Sequence, residues 1–483
     1  MGTNEKPNII FIVMDAVRAR NLGCYGYDKP TSPNIDRLAK DGVLFENAFS
    51  CINTTDSSLT SIFSGMYPRT HGIIHQGDTI TKYEINKFLK GDIKLLPEIL
   101  KENGYYTIGL DWLGRWHKRG YDYYMGIKKT RKKIVKMFFS KFINNKFFKN
   151  QHIYKLMRLV YENRKSINVE WENAKELTDT GIKLLEKIAN NEIKMPFFMF
   201  IHYWDTHIPY SPPYKYISEL GNYKPLGKTT NEILSEINNP ARVGYLKGYF
   251  KEDIDVSEIV RRYDGAIKYI DAQIGRLLNF LSDYGMLDNT MIIITSDHGE
   301  SLIEHGIYFD HHGLYDVSIH VPIIIWYPNN LPKNKRVNSL VQHIDLLPTI
   351  DELLNIETGI NYDGLNLLPI INDEIDKIRT EIYIEEAYTQ RKFAIRTEQY
   401  KYIFADNIQN AKCRFCNKIH GSLEELFNLY DDPDEKYNVL HVYDNIYKIL
   451  RNKLNKWINK TYGTSKREIL KLNIKNIKKK RKI

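Results

Sequence analysis

The chain alternates between short, wholly apolar runs and amphipathic stretches, and that pattern predicts its elements. "PNIIFIVMD" is apolar from Ile9 to Met14 and ends on the carboxylate of Asp15, which reads as a strand buried on both faces. A turn-rich stretch leads to "PNIDRLAKDG", a short helix closed by Gly42. "VLFENAFS" follows as a second strand, and Asp56 to Phe63 as the start of a helix. "LLPEILKENG" with "YYTIGL" makes a helix-to-strand unit, and "MPFFMFIHYWDTH" is a buried strand running into a polar end. Ile259, Tyr263, Ile267, Ile270, Ile274, Leu278 and Leu281 keep helical spacing. "NTMIIITSDHGE" and "VPIIIWYP" are two more strands, and "HIDLLPTIDELLNI" is a helix. Helices alternating with apolar strands predict an α/β fold, a mostly parallel sheet sandwiched by helices.

From about Thr380 the pattern changes to short alternating strands, "EIYIEEA", "KFAIRT" and "YKYIFA", then a helix near Asp444 to Trp457. This predicts a main α/β domain over 1–379, a smaller C-terminal α+β subdomain over 380–462 and a basic tail over 463–483. The segment 128–165, rich in Lys, Phe, Tyr and Asn, reads as an insertion on the main domain, either a lid or an amphipathic helical excursion. No internal repeat is visible.

A chain of 483 residues with 42% hydrophobic and 27% charged content has ample material for a large core. The formal charge of +10 is concentrated in the tail and in the 128–165 region, where a solvated face is the ordinary reading. It leaves room for weak membrane-surface contact, while no motif for specific nucleic-acid recognition accompanies it. "IIFIVM" is too short for a transmembrane anchor or the apolar core of a signal peptide, so the chain reads as cytoplasmic. The four cysteines agree, being too few for a disulfide framework. Cys413 and Cys416 form a lone CxxC with His420 nearby. With no second pair beside it, a loop with incidental thiols is the simpler reading than a structural zinc knuckle.

The chemistry gathers at strand ends. Predicted strands terminate in Asp15, in the pair Asp205 and His207, and in the pair Asp297 and His298. Sites in parallel α/β sheets form at such carboxyl ends, so these groups are expected to converge. An Asp after a strand is often only a helix cap. The three strand ends together, with His305, His311 and His312 in "EHGIYFDHHGLY", read better as a metal or acid–base site.

These residues carry a resemblance. "NIIFIVMDAVRARNLGCYGYDKPTSPNIDRLAKDGVLFENAFS", "SGMYPRTHG", "FIHYWDTHIPYSPP", "TSDHGESLIEHG", "HHGLYDVSIHVPIII", "HIDLLPTI", "FAIRTEQYKYI" and "LFNLYDDPDEKYNVL" occur in the order of the sulfatase family. The chain resembles that family, within the alkaline phosphatase superfamily, along nearly its whole length. The family's nucleophile motif runs Cys or Ser, any residue, Pro, Ser, Arg, three residues, Leu, Thr, Gly. Counting back from Gly65 puts Thr55 at the nucleophile position, with Ser57 in the Pro place and Leu59 in the Arg place. Cys51 lies four positions early and Thr54 one early.

The resemblance implies that Asp15, Asp297, His298 and Thr55 form one metal shell, which suits Zn²⁺ or Mn²⁺ better than Ca²⁺ or Mg²⁺. It gives His207 and His312 catalytic roles as groups that hold or protonate substrate. Asp205, His311, Arg115 and His117 become candidates for substrate or a second metal. Family sulfatases convert the motif Cys or Ser to formylglycine, which a threonine cannot become, so no formylglycine is expected. Relatives in the superfamily with a threonine nucleophile mostly transfer or hydrolyse phosphoryl groups.

The expected function is therefore metal-dependent hydrolysis or transfer of phosphate or sulfate esters, phosphoester favoured, on a small anionic ester substrate. The alternatives are a genuine sulfuric ester hydrolase of arylsulfatase type and, from another class, a non-catalytic binding protein that retains the fold. The full ligand set argues against the last. Neither the alcohol or glycan nor the oligomeric state is legible.

Overall fold

The computed structural model describes residues 6–126, 173–250 and 252–462. The proposed lid at 128–165 and the basic tail lie outside the described residues. Fourteen strands are described. In the main unit they are β1 (Asn8–Met14), β2 (Val43–Phe45), β3 (Ala48–Phe49), β4 (Tyr106–Leu110), β5 (Tyr123–Tyr124), β6 (Phe197–Tyr203) and β7 (Thr290–Thr295). β8 (Ile323–Trp326), β9 (Lys335–Val337) and β10 (Val341–Gln342) complete it. β11 (Ile382–Glu386), β12 (Lys392–Arg396), β13 (Tyr400–Phe404) and β14 (Glu424–Asn428) form the C-terminal sheet.

The main sheet has the order β5-β4-β6-β1-β7-β8-β2-β9, and only β8 runs against its neighbours. Successive side chains of a strand point to opposite faces, so the apolar runs feed two cores. Ile10, Ile12 and Met14 face the helices Ala174–Ala189 and Val256–Asp283. Ile9, Phe11 and Val13 face the helices Thr55–Ser64, Leu96–Glu102 and Leu346–Leu353. Both faces being covered explains why β1, β6 and β7 lack any polar alternation until their last residues.

The C-terminal sheet is antiparallel, in the order β11-β12-β13-β14. One face, with Ile384, Ala394 and Ile403, packs against Phe49, Leu314 and Tyr315 of the main unit. The other, with Ile395, Tyr402 and Leu426, is covered by Leu450 and Leu454 of the helix Asp444–Tyr462. β14 lies in a stretch that sequence pattern alone left without a strand. "VLFENAFS" is split into β2 and β3, because each half pairs with a different partner, β2 in the main sheet and β3 with β10.

The turn His343–Asp345 docks the helix Leu346–Leu353 against the helix Thr55–Ser64, and one ion pair holds it. The fully buried carboxylate of Asp345 accepts from Gln342 N at 2.7 Å, Leu365 N at 2.8 Å and both Arg379 terminal nitrogens at 2.5 and 2.6 Å. Removing the cation strands a buried charge. Arg379→Ala is expected to lower unfolding free energy in urea by about 3–5 kcal/mol, with Asp345→Asn restoring part of the loss in the double variant.

Candidate active site

β1 and β7 are parallel neighbours in which Val13 pairs with Thr295. Two residues further on, Asp15 and Asp297 therefore emerge side by side, on the same face of the sheet as Val13. β6 adds His202 to that face, because Val13 pairs with His202. Its Nε2 lies 3.8 Å from Asp15 Oδ2 and its Nδ1 3.1 Å from Asp111 Oδ1, one residue past the end of β4. Asp15, Asp111, His202, Asp297 and His298 are all essentially fully buried.

The helix Thr55–Ser64 packs on this face, and its start delivers Thr55 into the group. Thr54 is extended and begins the helix, Gly65 closes it in the left-handed region, and Ser58 Oγ donates to Asp297 O at 2.6 Å. Thr55 Oγ1 lies 3.4 Å from both Asp15 Oδ2 and His298 Nε2. His298 Nδ1 lies 2.8 Å from Gly299 O, which assigns the ring proton to Nδ1 and leaves the Nε2 lone pair facing Thr55. Ala16 holds φ at +57°, a costly conformation for a residue with a Cβ. The turn is fixed by Ala16 N donating to Asp297 Oδ1 at 3.1 Å and Tyr263 Oη donating to Ala16 O at 2.7 Å.

The electrostatics are those of a cation site. Burial, and then the neighbouring carboxylates Asp297 and Glu300, push Asp15 well above the usual carboxylate range. Burial opposes ionisation of Asp297 as well, but His298 and His202 draw it below its ordinary value. Asp15 Oδ1 and Asp297 Oδ2 are buried without a hydrogen-bond partner. One ligand atom from each of Asp15, Asp297 and His298 falls within 4.8 Å of the others. Two orphaned carboxylate oxygens and an aimed imidazole nitrogen fit a divalent metal, with Thr55 Oγ1 beside it.

Other expected residues are placed as follows. Cys51 points elsewhere, into a buried setting beside Asp345 and Arg379, where burial raises its thiol well above the ordinary value. His311 stacks on His298 with ring centroids 4.1 Å apart, and His207 lies 6.5 Å from His311, so both flank the ligand group. Burial lowers His207, and lowers His311 to about 3, so both rings are neutral near pH 7. Arg115 and His117 reach the edge of the site through Asp56, the residue after Thr55. Arg115 forms an ion pair with its carboxylate, His117 Nε2 sits 3.1 Å away, and together they hold Asp56 ionised against its burial.

Two expectations are corrected. Asp205 does not join the group: it lies in the turn after β6, two residues beyond the strand's end at Tyr203. The Asp205 carboxylate accepts from Ala174 N at the start of the helix Ala174–Ala189, and burial raises it to about 7. His312 Nε2 faces Cys413 Sγ at 3.5 Å and His420 Nε2 at 3.3 Å rather than Thr55. The CxxC therefore has a fourth partner, brought from a distant loop. Sequence reading missed His202 and Asp111, although strand parity in "FIHYWDTH" points His202, not Asp205, to the Asp15 face. It also missed Glu300, whose buried carboxyl accepts from Tyr210 Oη and is pushed well above its usual value by burial and Asp310.

Residues 7–356 match the family described as Sulfatase, and residues 303–461 match "N-sulphoglucosamine sulphohydrolase, C-terminal". An N-acetylglucosamine-6-O-sulfatase of Bacteroides thetaiotaomicron is 25% identical over 90% of this chain and 89% of its own length. A solved structure in complex with its substrate D-glucosamine-2-N,6-O-disulfate superposes with TM-score 0.68 at 22% identity, covering 96% of this chain and 99% of that one. The phosphonate monoester hydrolase of Agrobacterium radiobacter superposes with TM-score 0.64 at 19% identity, over 94% and 96%.

The placement of Asp205 generates a pH prediction. Its folded-state pKa of about 7 is raised, so the folded chain binds more protons than the unfolded one between about pH 4 and 7. Stability therefore falls as pH rises through that window. Asp205→Asn is expected to remove a loss on the order of 2 kcal/mol between pH 4 and 7, read by urea titration at each pH, while ester turnover stays near wild type.

Proposed function

The chain belongs to the sulfatase family, and we propose that within it this chain is a metal-dependent hydrolase or transferase of phosphate esters with Thr55 as nucleophile. It is an ester hydrolase of the alkaline phosphatase superfamily. The observation that carries the finer reading is Thr55 Oγ1 at the start of a buried helix, 3.4 Å from both Asp15 Oδ2 and His298 Nε2. No cysteine or serine occupies that place, so formylglycine has no precursor there.

Asp15, Asp297 and His298 would hold the divalent metal, and a His ligand favours Zn²⁺ or Mn²⁺ over Ca²⁺. When bound, that metal would polarise the ester and lower the pKa of the adjacent hydroxyl. Thr55 Oγ1 attacks the phosphorus, the P–O bond to the alcohol breaks, and the phosphoryl group rests on Thr55. His207 and His311, neutral at rest, orient the substrate's oxygens, and one of them takes up the proton released from Thr55 Oγ1 and passes it to the departing alcohol. Water, or an acceptor hydroxyl, then displaces Thr55 from phosphorus. His202, held by Asp111, stands beside Asp15 with its Nε2 3.8 Å from Oδ2, at the rim of the ligand group.

A sulfated threonine lacks the exit that a formylglycine hydrate provides, which is why phosphorus is favoured over sulfur. Proteins on this fold are named both for sulfate and for phosphonate esters, so fold alone does not choose. The second reading, a sulfuric ester hydrolase acting on a sulfated sugar, is favoured by the name of the 25% identical relative.

The test compares p-nitrophenyl phosphate, bis(p-nitrophenyl) phosphate and p-nitrophenyl sulfate on metal-stripped protein resupplied with Zn²⁺ or Mn²⁺. Phosphoester turnover is expected to need the metal, to fall by about 10³-fold or more in Thr55→Ala, and to persist in part in Thr55→Ser. Sulfate turnover that depends on Thr55 would establish the second reading. Turnover of any ester that survives Thr55→Ala would show that another group is the nucleophile.

A further inference from the structure

A second set of metal-ligand side chains is gathered from two distant parts of the chain, apart from the group around Thr55. We propose that His312, Cys413, Cys416 and His420 form a tetrahedral Cys2His2 zinc site that fastens the C-terminal subdomain to the loop carrying His311. All four side chains are buried, and one ligand atom from each lies within 4.8 Å of the others. Buried thiols and imidazoles in this number are the donor set of structural zinc, and two thiolates would balance the charge of the ion.

The distances fit a tetrahedron around one ion. Bond lengths of about 2.3 Å to sulfur and about 2.05 Å to nitrogen imply edges of about 3.3 Å between two nitrogens and about 3.6 Å between nitrogen and sulfur. His312 Nε2 and His420 Nε2 are 3.3 Å apart, and Cys413 Sγ is 3.5 Å from His312 Nε2. Cys416 Sγ lies closer to His420 Nε2, at 2.9 Å. A shared cation can take a lone pair from each of these four atoms at once.

Local structure presents the ligands. Cys413-x2-Cys416-x3-His420 folds as a tight hairpin in which Cys413 N donates to Lys418 O at 2.8 Å, with an antiparallel bridge between Lys412 and Ile419. Asn417 turns the chain at φ +63°, and Phe415 N donates to Cys413 Sγ at 3.3 Å, as expected for a sulfur held as thiolate. Behind His312, its Nδ1 lies 3.4 Å from Asp310 Oδ1, and Asp310 Oδ2 pairs with Arg242 at 2.6 Å. A carboxylate behind a ligating imidazole is the usual outer partner of a zinc histidine. Lys392 Nζ donates to His420 O at 2.7 Å and anchors the other end.

The consequence reaches the first site. His311 adjoins His312 and stacks on His298, so an ion bound by His312 fixes the backbone that presents His311. The test loads metal-stripped full-length chain with Co²⁺ and records its absorption spectrum. Thiolate-to-cobalt charge-transfer bands in the near ultraviolet, with intense visible bands of a tetrahedral ion, are expected. The Asp15 group carries no sulfur, and Cys24 and Cys51 belong to neither ligand group among the described residues. In the zinc-loaded chain, a mercurial thiol reagent is expected to release about one zinc per chain, and Cys413→Ser/Cys416→Ser to release none. A cobalt chain without thiolate bands, or a Cys413–Cys416 disulfide in the native protein, would overturn the proposal. Because the spectrum is read on the unaltered chain, a variant that fails to fold does not blunt the test.

Discussion

Two carboxylates buried side by side, Asp15 and Asp297, are the constraint on which this molecule turns. They stand two residues beyond a matched pair on neighbouring parallel strands, so the register of β1 with β7 brings them together whatever the surrounding loops do. Left to themselves, two adjacent buried charges repel and carry a desolvation cost of several kcal/mol each. The chain answers with His298 and His202 on the same face, an N–H from the strained turn at Ala16, and a pair of carboxylate oxygens left unpartnered for a cation. The remainder of the fold holds that arrangement. The helix Thr55–Ser64 can place its first residue beside the pair only because His343 and Asp345, clamped by Arg379, pack behind it.

Physical chemistry then narrows what the site can do. As the proposed nucleophile, Thr55 would make a plain ester intermediate, which water clears when the group carried is phosphoryl. Asp56 sits next to it, yet its charge is met by Arg115 and His117, so the helix start stays free of an open negative charge near the incoming anion. The proposed zinc would add a second, separate role for metal. One ion would act on the substrate, and the other would tie the C-terminal sheet to the loop that carries His311.

Much of this was legible in the sequence. Wholly apolar runs ending in Asp15 and in Asp297–His298 predict buried parallel strands and a site at their carboxyl ends, and the sheet has that form. The order of motifs gave the family, and the C-terminal antiparallel sheet followed from period-two alternation. What failed did so for identifiable reasons. Asp205 and His207 lie in the turn after β6, where Asp205 accepts from Ala174 N and His207 comes beside His311, while the strand's own two-residue period puts His202 next to Asp15. His312 was read with its neighbour His311, although consecutive residues in a loop face different ways. In sequence the CxxC stands without a second pair, because His312, which meets it in the fold, lies 101 positions earlier than Cys413.

In the proposed reaction Thr55 carries the transferred group. The most direct measurement of that role is rapid acid quench of the metal-loaded enzyme during phosphoester turnover, followed by mass spectrometry of the tryptic peptide spanning Asp41 to Arg69. A phosphoryl group is expected on that peptide, located at Thr55 by fragmentation and absent from Thr55→Ala. Continued turnover with no modified peptide, or with the group on another residue, would contradict that role.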